Sequence, residues 1–257
     1  PLIAARRLRA RPERTPWPLY VSRDDSEALV ISGVGRASAA AASGWVQGAL
    51  GPPAHAGWLN VGIAGHAEGP VGRLVLGHRI VEVATGRAWY PPPLPGVDLA
   101  SETVFTVDTP ELEYPEAGTY DMEASGFLAA TDRWGSLELA QVVKIVSDTR
   151  DAPPSELDGE RIRGLVESRM DEIGVVAGAL TAVGEEVAER TAPPRGYEEL
   201  SARWRFTATR RRQLRRLLER YWALAGPDGE LGEIDAVDAR QGLRVLTRRV
   251  DELSLES

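Results

Sequence analysis

An α/β domain followed by helices is the fold class that the sequence predicts, and three observations carry the prediction. Over roughly the first 150 residues, short apolar runs of strand type alternate with Gly and Pro and with alanine-rich stretches of helical character. Beyond Pro153 the strand signals vanish. The remainder of the chain carries apolar residues at helical spacing: Leu214, Leu217, Leu218, Tyr221 and Trp222 fall at i, i+3, i+4, i+7 and i+8, and Leu243, Leu246, Val250 and Leu253 form a similar stripe.

Taken in order, the strands are expected at Leu19–Arg23, Ala28–Ser32, Trp58–Ile63, Arg73–Val83 and Val142–Ser147. Ala37–Leu50 reads as an alanine-rich helix lying on the sheet, and Met122–Trp134 as a second helix with Phe127, Ala130, Thr131 and Trp134 along one face. Tyr90–Gly96, with four prolines, is a loop. In the tail, Tyr197–Ala225 is expected to be helical, and the pair Pro193-Pro194 sets the boundary between a domain of residues 1–192 and an extension of residues 193–257. Each tail stripe must cover a surface, either the core or a second subunit.

Composition narrows the function. With 43% hydrophobic and 26% charged residues over 257 positions, the chain has the balance of a soluble globular protein. A net charge of -8 with a pI near 5.1 disfavours nucleic acid as the main partner, because binding to phosphates rests on many Lys and Arg releasing counterions. The arginines Arg210, Arg211, Arg212, Arg215, Arg216 and Arg220 stand opposite an apolar stripe and read as a solvated face. There is no cysteine, which excludes disulfides, zinc thiolates, iron–sulfur clusters and a thiol nucleophile. His55, His66 and His78 are too far apart for a helical metal pair, and neither a metal nor a cofactor is expected. No apolar run approaches membrane-spanning length and the opening PLIAARRLRARPER is not a secretory signal, so a cytoplasmic location is expected. Lys144, the single lysine, is read as a consequence of base composition that bears weakly on function.

Four segments carry chemistry. ALVISGVGRASAAAA sets Gly33 and Gly35 in a turn between a strand and a small-residue helix, where backbone can approach a ligand closely. A dinucleotide fingerprint would need a third glycine where Ser38 stands and an acid about 20 residues on, and both are absent, so a purely structural turn competes with a binding one. WLNVGIAGHAEGPVGRLVLGHRIVEV couples a buried strand to a glycine turn and a further strand. In YDMEASGFLAA, Glu123 opens an apolar helix; it is either an acid favoured by the helix dipole or a carboxylate that a bound polyol would satisfy. QVVKIVSDTRD ends an apolar strand in Ser147-Asp148, at the carboxyl end where open α/β sheets bind ligands; a cap on a following helix is the alternative.

In this order, across Ile31 to Asp151, the four segments resemble the nucleoside phosphorylase superfamily, and most closely the methylthioadenosine/S-adenosylhomocysteine nucleosidases. Those proteins have a glycine turn leading into an alanine-rich helix, an NTGxAGG-like strand end, an MEA helix and an ISD strand; here the counterparts read SGVGRASAA, NVGIAGH, DMEA and VSD. The resemblance implies a three-layer α/β/α fold with a mixed central sheet. It also implies cleavage of the N-glycosidic bond of a purine-type ribonucleoside by an oligomer, a homodimer or larger. Asp148 would be the general acid toward N7 of the base, held by Ser147. Glu123 would bind the ribose hydroxyls, Met122 would pack beneath the sugar, Ala64 and Gly65 would border the sugar and base, and Phe105 would stack on the base. The types suit the reaction: the leaving base must be neutralised and an oxocarbenium-like sugar stabilised. An aspartate of ordinary pKa, about 3.9, donates at neutral pH only when its surroundings favour the protonated form.

The chain also departs from that pattern. The N-terminal segment offers only Glu13 as a counterpart of the water-activating glutamate, His66 replaces the second glycine of the turn, and the stretch from the first glycine turn to Asp148 is shortened. Asn60 is the nucleosidase-like choice at its strand end and no GDPxR-type loop precedes it, although Arg6, Arg7 and Arg9 could substitute as phosphate ligands. Hydrolysis is therefore expected, with phosphorolysis, or a nucleoside-binding protein without turnover, as alternatives.

Overall fold

The computed structural model describes residues 1–11 and 15–256, so Glu13 lies outside the described residues. The chain divides into two compact units, Pro1–Ala188 and the residues from Glu189 onward. No described helix is long and apolar enough to cross a membrane.

The first unit opens with a short helix α1 (Leu2–Ala5) and a three-stranded antiparallel sheet of β1 (Arg9–Ala10), β2 (Leu19–Val21) and β3 (Ala28–Val30). The expected strands at Leu19 and Ala28 thus exist, but they are shorter and pair only with each other and β1, apart from the main sheet. Helix α2 (Arg36–Leu50) follows, started by Gly35 at φ 99 and stopped by Gly51 in the left-handed region, where no Cβ has to be accommodated.

The main sheet is built from β4 (Trp58–His66), β5 (Leu74–Glu82), β6 (Arg87–Trp89), β7 (Ser101–Thr106), β8 (Thr119–Asp121) and β9 (Ala140–Asp148), in the order β6-β5-β7-β8-β4-β9. It is mixed: β4 runs parallel to β9, and β5 to β7 to β8, whereas β8 meets β4 and β6 meets β5 antiparallel. The sheet also closes on itself, since Leu74–Leu76 of β5 pair with Ile145–Val143 of β9. Strands β6, β7 and β8 do not stand out in the sequence, being three to six residues long and set among prolines and acids.

All nine residues of β9 are buried, because helices cover both of its faces. Val142 joins Ile80, Val104, Phe127, Leu128 and Ala39 on the side of α2 and of α3 (Ala124–Thr131), whereas Val143 and Ile145 join Leu74, Leu76, Ile173, Val176 and Leu180. The latter three belong to α5 (Met170–Thr191), which follows α4 (Gly159–Glu167), capped at its start by Asp158 accepting from the Arg161 N–H. This alternation makes the three layers. Helices α2 and α3 approach at Gly126, where a Cβ would lie 1.9 Å from the Arg36 carbonyl oxygen.

The second unit contains α6 (Tyr197–Arg203), α7 (Ala208–Ala225) and α8 (Ala239–Glu256). The single helix expected over Tyr197–Ala225 is broken at Trp204, which is extended and rests on Gly242 of α8, before Thr207 caps α7 by accepting from the Arg210 N–H. Leu214, Leu218 and Tyr221 of α7 are buried against Leu243, Leu246 and Val250 of α8, with Leu217 and Trp222 partly buried beside them. The two apolar stripes therefore cover each other within this unit, a pairing that helical spacing alone does not specify.

Candidate functional site

The polar side chains singled out in the sequence lie in two groups, one at the carboxyl ends of β4 and β9 and one at the start of α3. Asp148 ends β9 and is 7% exposed. Its Oδ1 lies 2.5 Å from Ser147 Oγ, which is also 3.2 Å from the carbonyl oxygen of Ala64. A hydroxyl has one proton, so Ser147 can donate to the carboxylate or, when the carboxyl is protonated, accept from it and donate to Ala64 instead. Both protonation states of Asp148 are thus accommodated at Oδ1. The cap on a following helix is not formed here, because both carboxyl oxygens are committed to Ser147 and to Tyr114.

Tyr114, in the loop between β7 and β8, donates to Asp148 Oδ2 at 2.8 Å. It is 2% exposed, and burial first, then the hydrogen bond to Asp148 and that group's charge, push the phenol above its usual range. It therefore stays a donor throughout the neutral and moderately alkaline range. Gly65 of β4 is the residue that the pair requires, since a Cβ there would come within 2.7 Å of both Asp148 Oδ2 and the Tyr114 hydroxyl.

A second group surrounds Glu123. Asp121, at the end of β8, caps α3 by accepting the Ala124 N–H at 2.8 Å and the Glu123 N–H at 3.2 Å. With that duty filled, the Glu123 side chain turns away from its own helix and accepts the Gly35 N–H at 2.8 Å, across the SGVG turn. Lys144 of β9, 1% exposed, pairs with Asp121 at 2.7 Å and stands 3.8 Å from Glu123 Oε2. Asp121 is further held by the Thr106 hydroxyl at 2.7 Å. Lys144 fits because Gly62 leaves its ammonium room; a Cβ there would lie 3.0 Å from Nζ.

The two groups share strands: Gly62 pairs with Lys144 and Gly65 with Asp148 in the β4–β9 ladder, which shifts register between Ala64 and Gly65. Ala64 is buried beside Ser147, and Met122 is half-buried between Asp121 and Glu123 in the chain. Phe105 is linked to Asp148 through two further rings, Tyr120 and Tyr114. It is 4% exposed and stacks on Tyr120 at 5.1 Å, and Tyr120 in turn meets Tyr114 edge-on at 5.5 Å. Asn60 is half-buried on β4, its Oδ1 without a partner among the described residues.

The sequence alone does not assign Tyr114, Asp121 or a structural place for Lys144. Asp121 could be found from its position two residues before Glu123, as an acid at a helix start; Tyr114 has no signal.

Two arginines near these ends, Arg36 and Arg73, are paired with carboxylates, and Arg150 donates to two backbone carbonyls. Arg36 pairs with Glu82 and with Asp108, at 2.7 Å for the latter, and these carboxylates raise its pKa further. Arg73 pairs with Glu102 at 2.7 Å, and Glu102 also bonds His66 and the Thr119 hydroxyl at 3.0 Å each. His66 has its Nδ1 2.9 Å from the Glu68 N–H, and its Nε2 faces both Glu102 at 3.0 Å and Arg73 Nη2 at 3.1 Å. Arg6 is bound to Glu27. Among the described residues, no group of three or more histidines and carboxylates is arranged to hold a metal ion. A groove of about 690 Å³ in the second unit is lined by Arg195, Arg203, Trp222 and Glu233, but Arg195 and Arg203 are spent on the carbonyl oxygens of Pro227 and Ile234. The candidate site is the one at Asp148 and Glu123, where the residues singled out in the sequence lie.

This α/β architecture, a mixed sheet between helices, is the fold of solved nucleosidases. Among solved structures, the chain is similar to the 5'-methylthioadenosine/S-adenosylhomocysteine nucleosidase of Colwellia psychrerythraea 34H in complex with adenine, at a TM-score of 0.51 and 16% identity over 68% of this chain and 86% of that one. It is similar to the S. pneumoniae enzyme with the transition-state inhibitor MT-ImmA, at a TM-score of 0.51 and 15% identity over 71% and 94% of the two chains. Futalosine hydrolase of Helicobacter pylori strain 26695 gives 0.50 and 11% over 72% and 91%. No family model and no curated protein matches the sequence.

Proposed function

We propose that the first unit is a nucleosidase: it cleaves the N-glycosidic bond of a purine-type ribonucleoside, with water as the attacking group, Asp148 as the general acid and Glu123 as the ligand of the sugar hydroxyls. The observation that carries this reading is the pair of carboxylates, Asp148 with a hydroxyl that serves either protonation state and Glu123 held by the Gly35 N–H, with Lys144 3.8 Å from its other oxygen. In the reaction the C1′–N bond breaks and its electron pair goes to the base, which takes the proton of Asp148 at a ring nitrogen, while a water oxygen bonds to C1′ and releases a proton to solvent, from which Asp148 is reprotonated. Glu123 binds the diol and its negative charge favours the cationic sugar. Met122 packs beneath the sugar, Ala64 and Gly65 border it, and Phe105, with Tyr120 and Tyr114, forms the aromatic side of the base site.

The similar structures support the choice of substrate class, one holding adenine and another a transition-state inhibitor. Water is favoured over phosphate because a dianion needs unspent cationic donors: Arg6, Arg36 and Arg73 are engaged by carboxylates and Arg150 by two backbone carbonyls, which leaves Arg7 and Arg9 as the phosphate ligands to test.

Calorimetry on Glu123→Gln tests the sugar site. The amide still accepts the Gly35 N–H but loses the charge that strengthens bonds to a diol, a difference of about 1.5–3 kcal/mol. Purine ribonucleoside affinity is therefore expected to fall by about one to two orders of magnitude. Unchanged affinity would make Glu123 a tether of the glycine turn and nothing more.

A further inference from the structure

We propose that Tyr114 is the positioning residue of the acid: its phenol fixes Oδ2 of Asp148 as an acceptor beside Gly65, which keeps the transferable proton on Oδ1 next to Ser147. The inference rests on the reading of Asp148 as general acid. It goes beyond the resemblance in assigning a role to a loop residue that none of the four sequence segments contains.

Several features argue that the contact is built. Tyr114 is held at φ 45, a left-handed conformation that costs a bulky residue energy and persists only where the surroundings impose it. Arg150, two residues beyond Asp148, fastens that backbone by donating to the carbonyl oxygens of Glu113 and Tyr114 at 2.6 and 3.1 Å. The start of the same loop is tied down by Asp108, which pairs with Arg36. The ring packs edge-on against Tyr120, and the glycine at position 65 leaves the space in which hydroxyl and carboxyl meet.

The chemistry is set by the donors. Among the described residues the Tyr114 hydroxyl has no hydrogen-bond partner other than Asp148, and its raised pKa keeps it protonated, so Oδ2 always receives a proton and does not carry one. Ser147, by contrast, can reverse its hydrogen bond. The proton leaves from Oδ1 and the Ser147 hydroxyl then rotates to donate to the carboxylate that remains, with no heavy atom having to move. The charged and titratable groups around this contact are Asp148 on β9, Tyr120 on β8, whose ring packs on Tyr114, and Glu111 and Arg150 around the loop; β4 brings Gly65 and the Ala64 carbonyl.

Two replacements at position 114 test this in opposite directions. Tyr114→Phe keeps the ring packing and removes the donor, and with it a hydrogen bond of the kind that favours a carboxylate over a carboxyl. The alkaline limb of the kcat profile for purine ribonucleoside cleavage should move up by about one pH unit, and kcat on the plateau should fall about tenfold with KM within about threefold. Incorporation of 3-fluorotyrosine at position 114, a stronger donor of nearly the same shape, should move the limb down. An unmoved limb in both proteins, with melting temperatures near that of the parent, overturns the role of Tyr114. Asp148→Asn, assayed alongside, separates the two claims. If that variant is inactive and the limbs do not move, the acid stands and the positioning role falls. If it retains full activity, the acid itself is wrong.

Discussion

Asp148→Asn is expected to slow base release on the order of a thousandfold while leaving ribonucleoside affinity within about tenfold. The amide has the shape of the carboxyl, and its oxygen can still accept from Tyr114 at a contact now 2.8 Å long, with its NH2 facing Ser147. The cleft should therefore be preserved. What is lost is a proton acidic enough to pass to the leaving base, and that loss falls on kcat. Steady-state kinetics with calorimetric binding on the same preparation gives both numbers, and comparable losses in affinity and kcat would show that the substitution had disturbed the site rather than its chemistry.

The largest expected effect on stability is at the one lysine. Lys144 and Asp121 have side chains 1% and 0% exposed, at 2.7 Å, so Lys144→Met leaves a buried carboxylate whose positive partner is gone. Breaking such a pair from one side costs about 3–5 kcal/mol, whereas replacing both members by uncharged groups of similar size is often close to neutral. The double variant Lys144→Met, Asp121→Asn should thus recover much of the loss, because an asparagine oxygen can still cap α3 at the Ala124 N–H. Denaturant unfolding of the two variants checks this. A single variant within about 1 kcal/mol of the parent would mean that the pair contributes little, in the manner of an exposed one.

The contrast between what the sequence does and does not disclose has physical causes. Strands β4 and β9 are legible because a strand covered on both faces must be apolar along its length, and WLNVGIAGH and AQVVKIVSD are nearly so. The carboxylates at their ends, and Glu123 at a helix start, are legible for the converse reason: a charge in an apolar context needs a purpose. Strand β8 is three residues long and draws its order from β4 and β7, neighbours distant in sequence, so nothing local marks it. Tyr114 is hidden by its setting, ELEYPEAG, which has the composition of a solvated loop although the ring is buried. Lys144 is visible as an oddity of composition, yet its burial depends on Gly62 opposite, and that pairing exists only once the β4–β9 register is known. In the tail, both apolar stripes are readable, but not that each is the other's cover.

The products formed from a purine ribonucleoside test the assignment of glycosidic cleavage most directly. Purified protein is incubated with a panel of such nucleosides in phosphate-free buffer and again with millimolar phosphate, and the base and sugar are separated and identified. The expected result is free base with ribose, not ribose 1-phosphate, at the same rate in both buffers and lost in Asp148→Asn. A strict requirement for phosphate would make the protein a phosphorylase of the same fold, and release of no base from any nucleoside in either buffer would contradict the assignment of glycosidic cleavage to this site.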